Sequence, residues 1–473
     1  MSSAKTVSDI LFGFVSKVAL RFRGILMISL ITIHLGVSAY GAYAQIFTIA
    51  NLVYTVADLG LHQALIRYGQ RTDDTADLYY SILSVVLLAG GLVAAAIFAA
   101  APVLSEFTLQ SDEYVDTYRV GAALVISLAT FRVAKNYFRM DSRIRAFSII
   151  ETVDGYGTAG AAGVVLILFD ADLAQVFVAI VLVQLAVTVL LHGQIVREIG
   201  VTLPTFRNLK TCFEYSLPVA LSLFVGSLSS RADRVMIGFF LGATAVGVYS
   251  IAYEISLGII MYVSAIRQTF FPEFSKFLDN DQYEKCGTYV STGVRYFLVL
   301  ALPTAGGMYL IGPEVIGLLT EGRGLPSPGL ISIIALGITA QGVDVIYGVV
   351  MRAAEETYLR AKFVSTGAVG NILINAVTIP LFGVMGAAAA TLLTYLFISG
   401  LTIGRVRKIV PVELPWLTVL RCLGATIAMV ALSELVLEAS VIVTVIVSVP
   451  TYFGLLFVLR ELTIDEVRVR LGV

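Results

Sequence analysis

Long hydrophobic segments follow one another along almost the whole chain, and short polar connections separate them. A helix needs about 20 apolar residues to cross the hydrocarbon layer of a bilayer. Segments of that kind lie near residues 10–35, 42–64, 78–101, 116–138, 148–169, 173–196, 214–240, 245–270, 289–312, 329–351, 361–381, 384–404, 416–436 and 440–460. The pattern predicts an all-α membrane protein of about 14 transmembrane helices, numbered here as spans 1 to 14.

Composition supports the same class. The chain is 58% hydrophobic and 14% charged, whereas soluble domains carry roughly 25% charged residues. The net charge of −1 provides no basic field for nucleic acid, so no nucleic-acid partner is expected.

Positive charges fall in every second connection. With the N-terminus inside the cell, the inner connections carry nearly all lysines and arginines, among them Arg67, Arg71, Arg132, Lys135, Arg139, Arg143, Arg197, Lys276, Lys285, Arg352, Arg360 and Arg405. Arg323 is the clear exception on the other side. Because cytoplasmic loops are enriched in these residues, the pattern predicts a multi-pass protein of the cell membrane with both termini cytoplasmic.

Two short stretches repeat at the outer ends of the spans. The sequence "LGVSAYGAYA" at 35–44 joins spans 1 and 2, and "LGATAVGVYS" at 241–250 joins spans 7 and 8. The inner stretches "FRMDSRIRAF" and "VMRAAEETYLRAKF" likewise follow spans 4 and 10. Repeats six spans apart keep the same orientation, as in parallel-repeat transporters.

The repeat predicts three parts of the chain. An N-lobe of spans 1–6 would occupy residues 1–200, and a C-lobe of spans 7–12 residues 211–405. Residues 415–473 would add spans 13–14 and a cytoplasmic tail.

The connections leave no room for a soluble catalytic domain. The longest, near 271–288, is polar and predicted to be cytoplasmic, and no G-x-x-x-x-G-K phosphate loop occurs. Cysteines and histidines show no metal-ligand spacing, so neither a metal nor a cofactor is predicted. Transport fits these features better than catalysis does, and the protein is not expected to be an enzyme.

Ionisable residues within spans are costly and are therefore candidates for function. Lys17 and Arg21 are four residues apart and share a helix face in the inner half of span 1. Arg231 and Arg234 lie in the outer half of span 7. Arginine binds phosphate with paired donors, so these four cations are the candidate binding residues for a phosphate or diphosphate.

Other readings of these charges stay open. Lys17 could extend to the inner surface, and Arg231, Asp233, Arg234 and Glu254 could neutralise one another. The carboxylates of Asp58, Glu151, Asp154 and Asp344 could carry a coupling proton or Na⁺, or could pair with nearby basic residues.

Long runs of this sequence resemble a known transporter family. "YSLPVALSLFVGSLSSRADRVMIGFFLGATAVGVYSIAYEI" is similar to spans 7 and 8 of polysaccharide-export flippases. "LGVSAYGAYAQIFTIANLVYTVADLGLHQALIRY" and "PLFGVMGAAAATLLTYL" are also similar to that family. These flippases share a superfamily with multidrug-and-toxin exporters and lipid II flippases.

The resemblance implies two six-helix lobes that form a V around a cationic cavity, followed by two extra helices. It implies transfer of a polyprenyl-(di)phosphate-linked oligosaccharide to the outer leaflet by alternating access, for cell-surface polysaccharide or glycoprotein glycan assembly. The family's basic residues correspond to Lys17, Arg21, Arg231 and Arg234, and its span-7 aspartate to Asp233. The expected partners are this lipid substrate, membrane lipids and other membrane proteins of glycan assembly.

Three other functions stay open. A cation-coupled multidrug or metabolite antiporter of the same superfamily would depend on acidic cavity residues instead. A membrane glycan polymerase or ligase would need an outer catalytic loop, and a scaffold of a glycan-assembly complex would not need the cations at all.

Overall fold

The computed structural model describes residues 3–72, 74–436 and 441–462, and the regular secondary structure in these ranges is helical. The chain divides into two compact units, Met1–Val248 and Tyr249–Val473, called unit 1 and unit 2. Unit 1 contains α1 (Ser3–Ala57), α2 (Leu61–Tyr68), α3 (Thr75–Leu109), α4 (Val115–Met140), α5 (Ile144–Phe169), α6 (Leu173–Ile199) and α7 (Leu209–Ser229). Then α8 (Ala232–Ser256) runs across the boundary, followed by α9 (Ile260–Asp279), α10 (Tyr283–Thr320), α11 (Pro328–Ala353), α12 (Thr357–Val406), α13 (Trp416–Val436) and α14 (Val441–Val458).

Glycine breaks reconcile these helices with the predicted spans. Eleven helical segments in the described ranges are long and apolar enough to cross a membrane, and α14 is a shorter apolar helix. Gly36 divides α1 and Gly383 divides α12, so each of these helices holds two predicted spans. Gly242 divides α8 between predicted spans 7 and 8. The prediction of an all-helical protein with about 14 spans is confirmed.

One predicted connection is wrong. The polar segment near 271–288 is mostly helical, because α9 continues to Asp279 and α10 begins at Tyr283. Glu273 and Lys276 pair at 2.9 Å, three residues apart, a spacing that suits the polar face of a helix. The charges that suggested a loop therefore belong to the surface of α9.

Large apolar side chains lie on both the inside and the outside of unit 1. Tyr79 and Phe138 are fully buried in a cluster between α2, α3 and α4. Leu88, Leu168 and Leu190 are exposed by 69%, 70% and 74%. A bilayer would cover such outward side chains, as expected for spans that satisfy their own backbone groups.

The two repeated stretches at 35–44 and 241–250 contact each other within unit 1. A Cβ atom at Gly41 would lie 1.9 Å from the carbonyl oxygen of Ala243. A Cβ atom at Gly247 would lie 2.3 Å from the carbonyl oxygen of Val37. Gly41 and Gly247 hold the same place in their stretches, as do Val37 and Ala243. We call this reciprocal contact the glycine seam; it exists because neither glycine has a side chain.

The division of the chain does not coincide with the predicted lobes. The boundary between the units falls at Val248–Tyr249, inside α8. The six-span lobes of residues 1–200 and 211–405, and the addition at 415–473, stay predictions.

Candidate functional site

Five charged residues gather between three helices of unit 1, and we call them the charge cluster. They are Arg23 on α1, Arg132 and Lys135 on α4, and Glu151 and Asp154 on α5. Lys135 Nζ donates to Glu151 Oε1 at 2.6 Å, with side-chain exposures of 13% and 28%. Lys135 also interacts electrostatically with Arg132 and Asp154, and Asp154 interacts with Arg23. The cluster holds three cations and two carboxylates, so it favours an anionic ligand.

Some polar atoms at the charge cluster are not satisfied. Arg23 Nε, Asp154 Oδ1 and, on α6, Gln184 Oε1 are buried without a hydrogen-bond partner in the described ranges. A buried polar atom left in this state costs about 1–3 kcal/mol. These atoms could therefore gain stabilisation from a ligand or from water.

Tyr54 orients one cation of the charge cluster. The Arg132 guanidinium carbon lies 4.0 Å from the centre of the Tyr54 ring, within cation–π range. Tyr54 belongs to the second segment of α1 and is 7% exposed. This contact ties α4 to α1 at the cluster.

The sequence analysis counted Arg132 and Lys135 among the positive charges at the inner end of predicted span 4 (116–138). Both residues lie within α4, which ends at Met140. Their charges are tolerated there because Glu151 and Tyr54 provide partners. The signal that could have revealed the pair was Glu151 in the next span, since an intramembrane acid is expected to have a basic partner.

The predicted phosphate-binding cations all lie in unit 1. Lys17 is exposed and Arg21 is half-buried, both on the first segment of α1. Arg231 follows the end of α7 and its Nη1 donates to Ser227 Oγ at 2.6 Å. Arg234 is in the first turn of α8 and is half-buried. Their role in binding stays a prediction.

Asp233 stabilises the start of α8. It is 5% exposed, and its Oδ1 accepts the backbone N–H of Arg234 at 2.8 Å. A carboxylate in the first turn of a helix is favoured by the partial positive charge there. The span-7 group thus surrounds a helix break at Ser230–Arg231 rather than lying on one continuous helix.

Asp58 is paired with a histidine. Asp58 Oδ2 is bonded to His62 Nδ1, and both side chains are buried. His62 Nε2 lies 2.9 Å from Gln63 Nε2. Because an amide nitrogen only donates, His62 Nε2 accepts, and Nδ1 carries the proton that is donated to Asp58. Coupling-ion binding at Asp58 stays a prediction.

Asp344 lies in unit 2 and forms an ion pair. Arg360 donates from Nη1 to Asp344 Oδ1 at 2.6 Å and from Nη2 to Oδ2 at 2.5 Å. Thr402 Oγ1 also donates to Asp344 Oδ1, at 2.8 Å. Asp344 therefore joins α11 to both segments of α12. Glu254, the other candidate carboxylate in unit 2, is half-buried on α8.

This ion pair corresponds to one in the charge cluster with the charges exchanged. Asp344 and Arg360 each lie 209 positions after Lys135 and Glu151. In unit 1 the base is on the earlier helix and the acid on the later one, whereas in unit 2 the order is reversed.

A second pair shows the same exchange. Arg143 Nη2 binds Glu198 Oε2 at 2.5 Å, joining the turn after α4 to the end of α6. In unit 2, Glu356 after α11 binds Arg405 near the end of α12. Unit 1 and unit 2 thus each hold two ion pairs between comparable helices, with acid and base exchanged.

A neutral polar cluster in unit 2 was missed by the sequence analysis. Asn375 Nδ2 donates to Asn371 Oδ1 at 2.9 Å, and Asn371 Nδ2 donates to Thr394 Oγ1 at 3.2 Å. Asn375 Oδ1 and Thr391 Oγ1 are buried without a hydrogen-bond partner in the described ranges. Amide and hydroxyl oxygens are ligands of hard cations. No group of three His, Cys, Asp or Glu residues suited to a metal occurs in the described part of the chain.

An apolar groove runs along unit 2 between α10, α13 and α14. It has a volume of about 440 Å³. Leu300, Ile311, Met429, Val445 and Phe453 contribute to its wall. Such a groove accepts a hydrocarbon chain.

A model of the family described as "Polysaccharide biosynthesis protein" matches residues 34–321, more than half of the chain. The chain belongs to this polysaccharide biosynthesis protein family. The probable flippase AglR of Haloferax volcanii is 26% identical over 414 residues, which cover 83% of this chain and 81% of AglR. The probable low-salt glycan biosynthesis flippase Agl15 of the same organism is 27% identical over 192 residues, 41% of each protein.

Solved structures show the fold of this polysaccharide biosynthesis protein. The lipid II flippase MurJ, in an inward closed conformation, matches with a TM-score of 0.78 and 10% identity, over 96% of this chain and 99% of MurJ. An inward-facing multidrug resistance MATE family transporter of the MOP superfamily matches with a TM-score of 0.68 and 13% identity, over 82% and 94%. The predicted MATE-like fold is confirmed.

Proposed function

We propose that this protein is a flippase that moves a polyprenyl-(di)phosphate-linked oligosaccharide from the cytoplasmic to the outer leaflet by alternating access. The moved glycan would serve cell-surface polysaccharide or glycoprotein assembly. The observation that carries the proposal is the excess of cations over carboxylates at the charge cluster. The chain belongs to a polysaccharide biosynthesis family, and its relatives AglR and Agl15 are named as probable flippases.

The anionic group of the substrate is assigned to unit 1. Arg23 and Arg132 can donate paired hydrogen bonds to phosphate oxygens, and Arg23 Nε has hydrogen-bond capacity left. Lys17, Arg21, Arg231 and Arg234 would extend the cationic path along α1 and at the break between α7 and α8. Phosphate is thereby kept out of contact with hydrocarbon while it crosses.

The polyprenyl tail is assigned to the apolar groove of unit 2. An isoprenoid chain has no polar group, and burial of each CH₂ contributes about 0.8 kcal/mol. The groove thus adds affinity for the tail through apolar contacts, and no charged residue is needed for it.

Reconstitution into liposomes tests the proposal. A labelled polyprenyl-phosphate-linked oligosaccharide is added to one leaflet, and the rate at which the sugar reaches the other leaflet is measured. We expect the wild type to accelerate crossing, and Arg231→Ala and the double variant Lys17→Ala/Arg21→Ala to slow it. Arg119→Ala is the matched control, because Arg119 pairs with exposed Asp116 at a helix start.

Two outcomes would count against the proposal. Crossing no faster than in protein-free liposomes, with export of cationic dyes, would favour the antiporter. Crossing that survives loss of all three cations would preserve the flippase and contradict the assignment of Lys17, Arg21 and Arg231 to substrate binding.

A further inference from the structure

A second cavity in unit 2 has a quite different lining, and we call it the polar pocket. It has a volume of about 870 Å³ and lies between the start of α10 and residues 411–418. Glu284, Thr288, Ser291 and Arg295 face it; their spacing of three or four residues places them on one side of α10. This is the end of α10 that the positive-charge pattern assigns to the cytoplasm.

The walls of the polar pocket are held firmly together. A Cβ atom at Gly287 would lie 2.0 Å from the carbonyl oxygen of Pro411, so α10 touches the 411–418 segment directly. At the base, Arg295 Nε donates to Glu461 Oε1 at 2.7 Å, and Thr418 Oγ1 donates to the same oxygen at 2.7 Å. Arg421 Nη1 binds Glu461 Oε2 at 3.1 Å. Both arginines at the base are therefore held by the one carboxylate of Glu461.

The lining offers hydrogen-bond acceptors. Thr288 and Ser291 donate their own protons to the backbone carbonyls of Glu284 and Gly287, at 3.0 and 2.9 Å. Their oxygens then remain as acceptors towards the cavity. The carboxylates of Glu284 and Glu413, both exposed at the mouth, are acceptors as well. A ligand that fits must bring several donors, as the hydroxyl groups of a sugar do.

Trp416 adds a flat apolar surface at the rim. It is 66% exposed and is the one tryptophan of the sequence. A pyranose ring has an apolar C–H face and a hydroxyl edge, so it can cover an indole face while its hydroxyls reach the carboxylates. The apolar groove begins at Leu300, further along the same helix.

We propose that the polar pocket binds the uncharged oligosaccharide head of the lipid-linked substrate, before it crosses the membrane. This inference rests on the proposed function for the identity of the ligand. It also excludes acidic sugars as preferred ligands, because Glu284 and Glu413 would repel a uronic acid.

Trp416 fluorescence tests the inference directly, since the emission arises from this rim alone. The full chain is titrated, in a detergent without a sugar head group, with mannotriose, trigalacturonic acid and dihexanoylphosphatidylethanolamine. We expect mannotriose to protect Trp416 from acrylamide quenching in a saturable manner. We expect Glu284→Gln/Glu413→Gln to weaken that binding by about tenfold, and the exposed Glu314→Gln on the same helix to leave it unchanged.

The opposite results would overturn the inference. Protection by the phospholipid but not by mannotriose would make the polar pocket a lipid head-group site, and equal binding of trigalacturonic acid would refute the role of the carboxylates. The liposome assay separates the two proposals. Crossing of the lipid-linked oligosaccharide, without protection of Trp416 by mannotriose, would refute only the sugar-binding role of the polar pocket. Protection of Trp416 without crossing would refute only the proposed flippase function.

Discussion

At the residue scale, the burial and the hydrogen-bond partners of a charged side chain determine its role. Asp344 and Glu356 are twelve positions apart, and each accepts two hydrogen bonds from an arginine of α12. Asp344 is 5% exposed and Glu356 is 20% exposed. Their partners, Arg360 and Arg405, lie at opposite ends of α12. These two acids thus hold α11 and the two segments of α12 together. Both carboxylates therefore have a structural role.

The Glu356 pair predicts acid sensitivity. Hydrogen bonds from Arg405 hold the pKa of Glu356 below its ordinary value. A lowered pKa in the folded state contributes stability above the ordinary glutamate value of about 4.3 and loses it as the pH falls through the folded value. Glu356→Gln should therefore lower the midpoint of thermal unfolding at pH 7, and the difference from the wild type should shrink at pH 3. Glu314→Gln serves as the control, and an equal difference at both pH values would contradict the prediction.

At the element scale, two ion pairs of unit 1 recur in unit 2 with their charges exchanged. The glycine seam, in contrast, lies within unit 1, where Gly41 and Gly247 each contact the other repeated stretch. The hydrophobic pattern located the breaks at Gly36, Gly242 and Gly383, because a break in the apolar run marks a turn wherever it occurs. The pattern could not identify the partners of Arg132 and Lys135, because Tyr54 and Glu151 belong to helices that meet α4 only after folding.

The reversed ion pairs predict a successful charge exchange. Asp344→Lys should be strongly destabilising, because it places a second cation beside Arg360. Arg360→Glu should be equally destabilising, because it places a second carboxylate beside Asp344. Removal of one partner from a buried pair costs about 3–5 kcal/mol. The double variant Asp344→Lys/Arg360→Glu gives unit 2 the polarity of Lys135 and Glu151, and it should regain most of the lost stability.

A double-mutant cycle of thermal unfolding measures the coupling. Additive losses in the double variant would show that the exchanged polarity has no bearing on the stability of unit 2.

The glycine seam predicts a steric effect. Gly41→Ala and Gly247→Ala each place a methyl group against a backbone carbonyl, so the turns must separate. Overpacking of this kind costs about 1–3 kcal/mol. Gly160→Ala on α5 is the control, because no atom lies within 4 Å of a Cβ placed there. Gly41→Ala and Gly247→Ala should lower the midpoint of thermal unfolding, whereas Gly160→Ala should not. The same midpoint for all three variants would refute the contact.

At the scale of the whole molecule, most of the fold could be predicted from the sequence. The grouping of the residues proposed to bind the substrate could not. Helical class and span number follow from apolar length, and the polysaccharide family follows from the quoted runs; each is confirmed. The polar groups of Arg23, Asp154 and Gln184 could not be grouped from the sequence, because helix rotation is set by packing rather than by periodicity. The pairing of Asp58 with His62 was not evident either, because it spans the turn at Leu59 and Gly60 between α1 and α2.

The central claim is that the charge cluster of unit 1 carries an anionic glycolipid across the membrane. The most direct measurement is the crossing rate of a labelled polyprenyl-phosphate-linked oligosaccharide in liposomes, for the wild type, for Arg23→Gln/Arg132→Gln and without protein. Both replacements keep hydrogen-bonding amides but remove the charges. We expect rapid crossing with the wild type and a loss of about tenfold or more in the double variant. Equal rates for the two proteins, or no acceleration by the wild type, would contradict it.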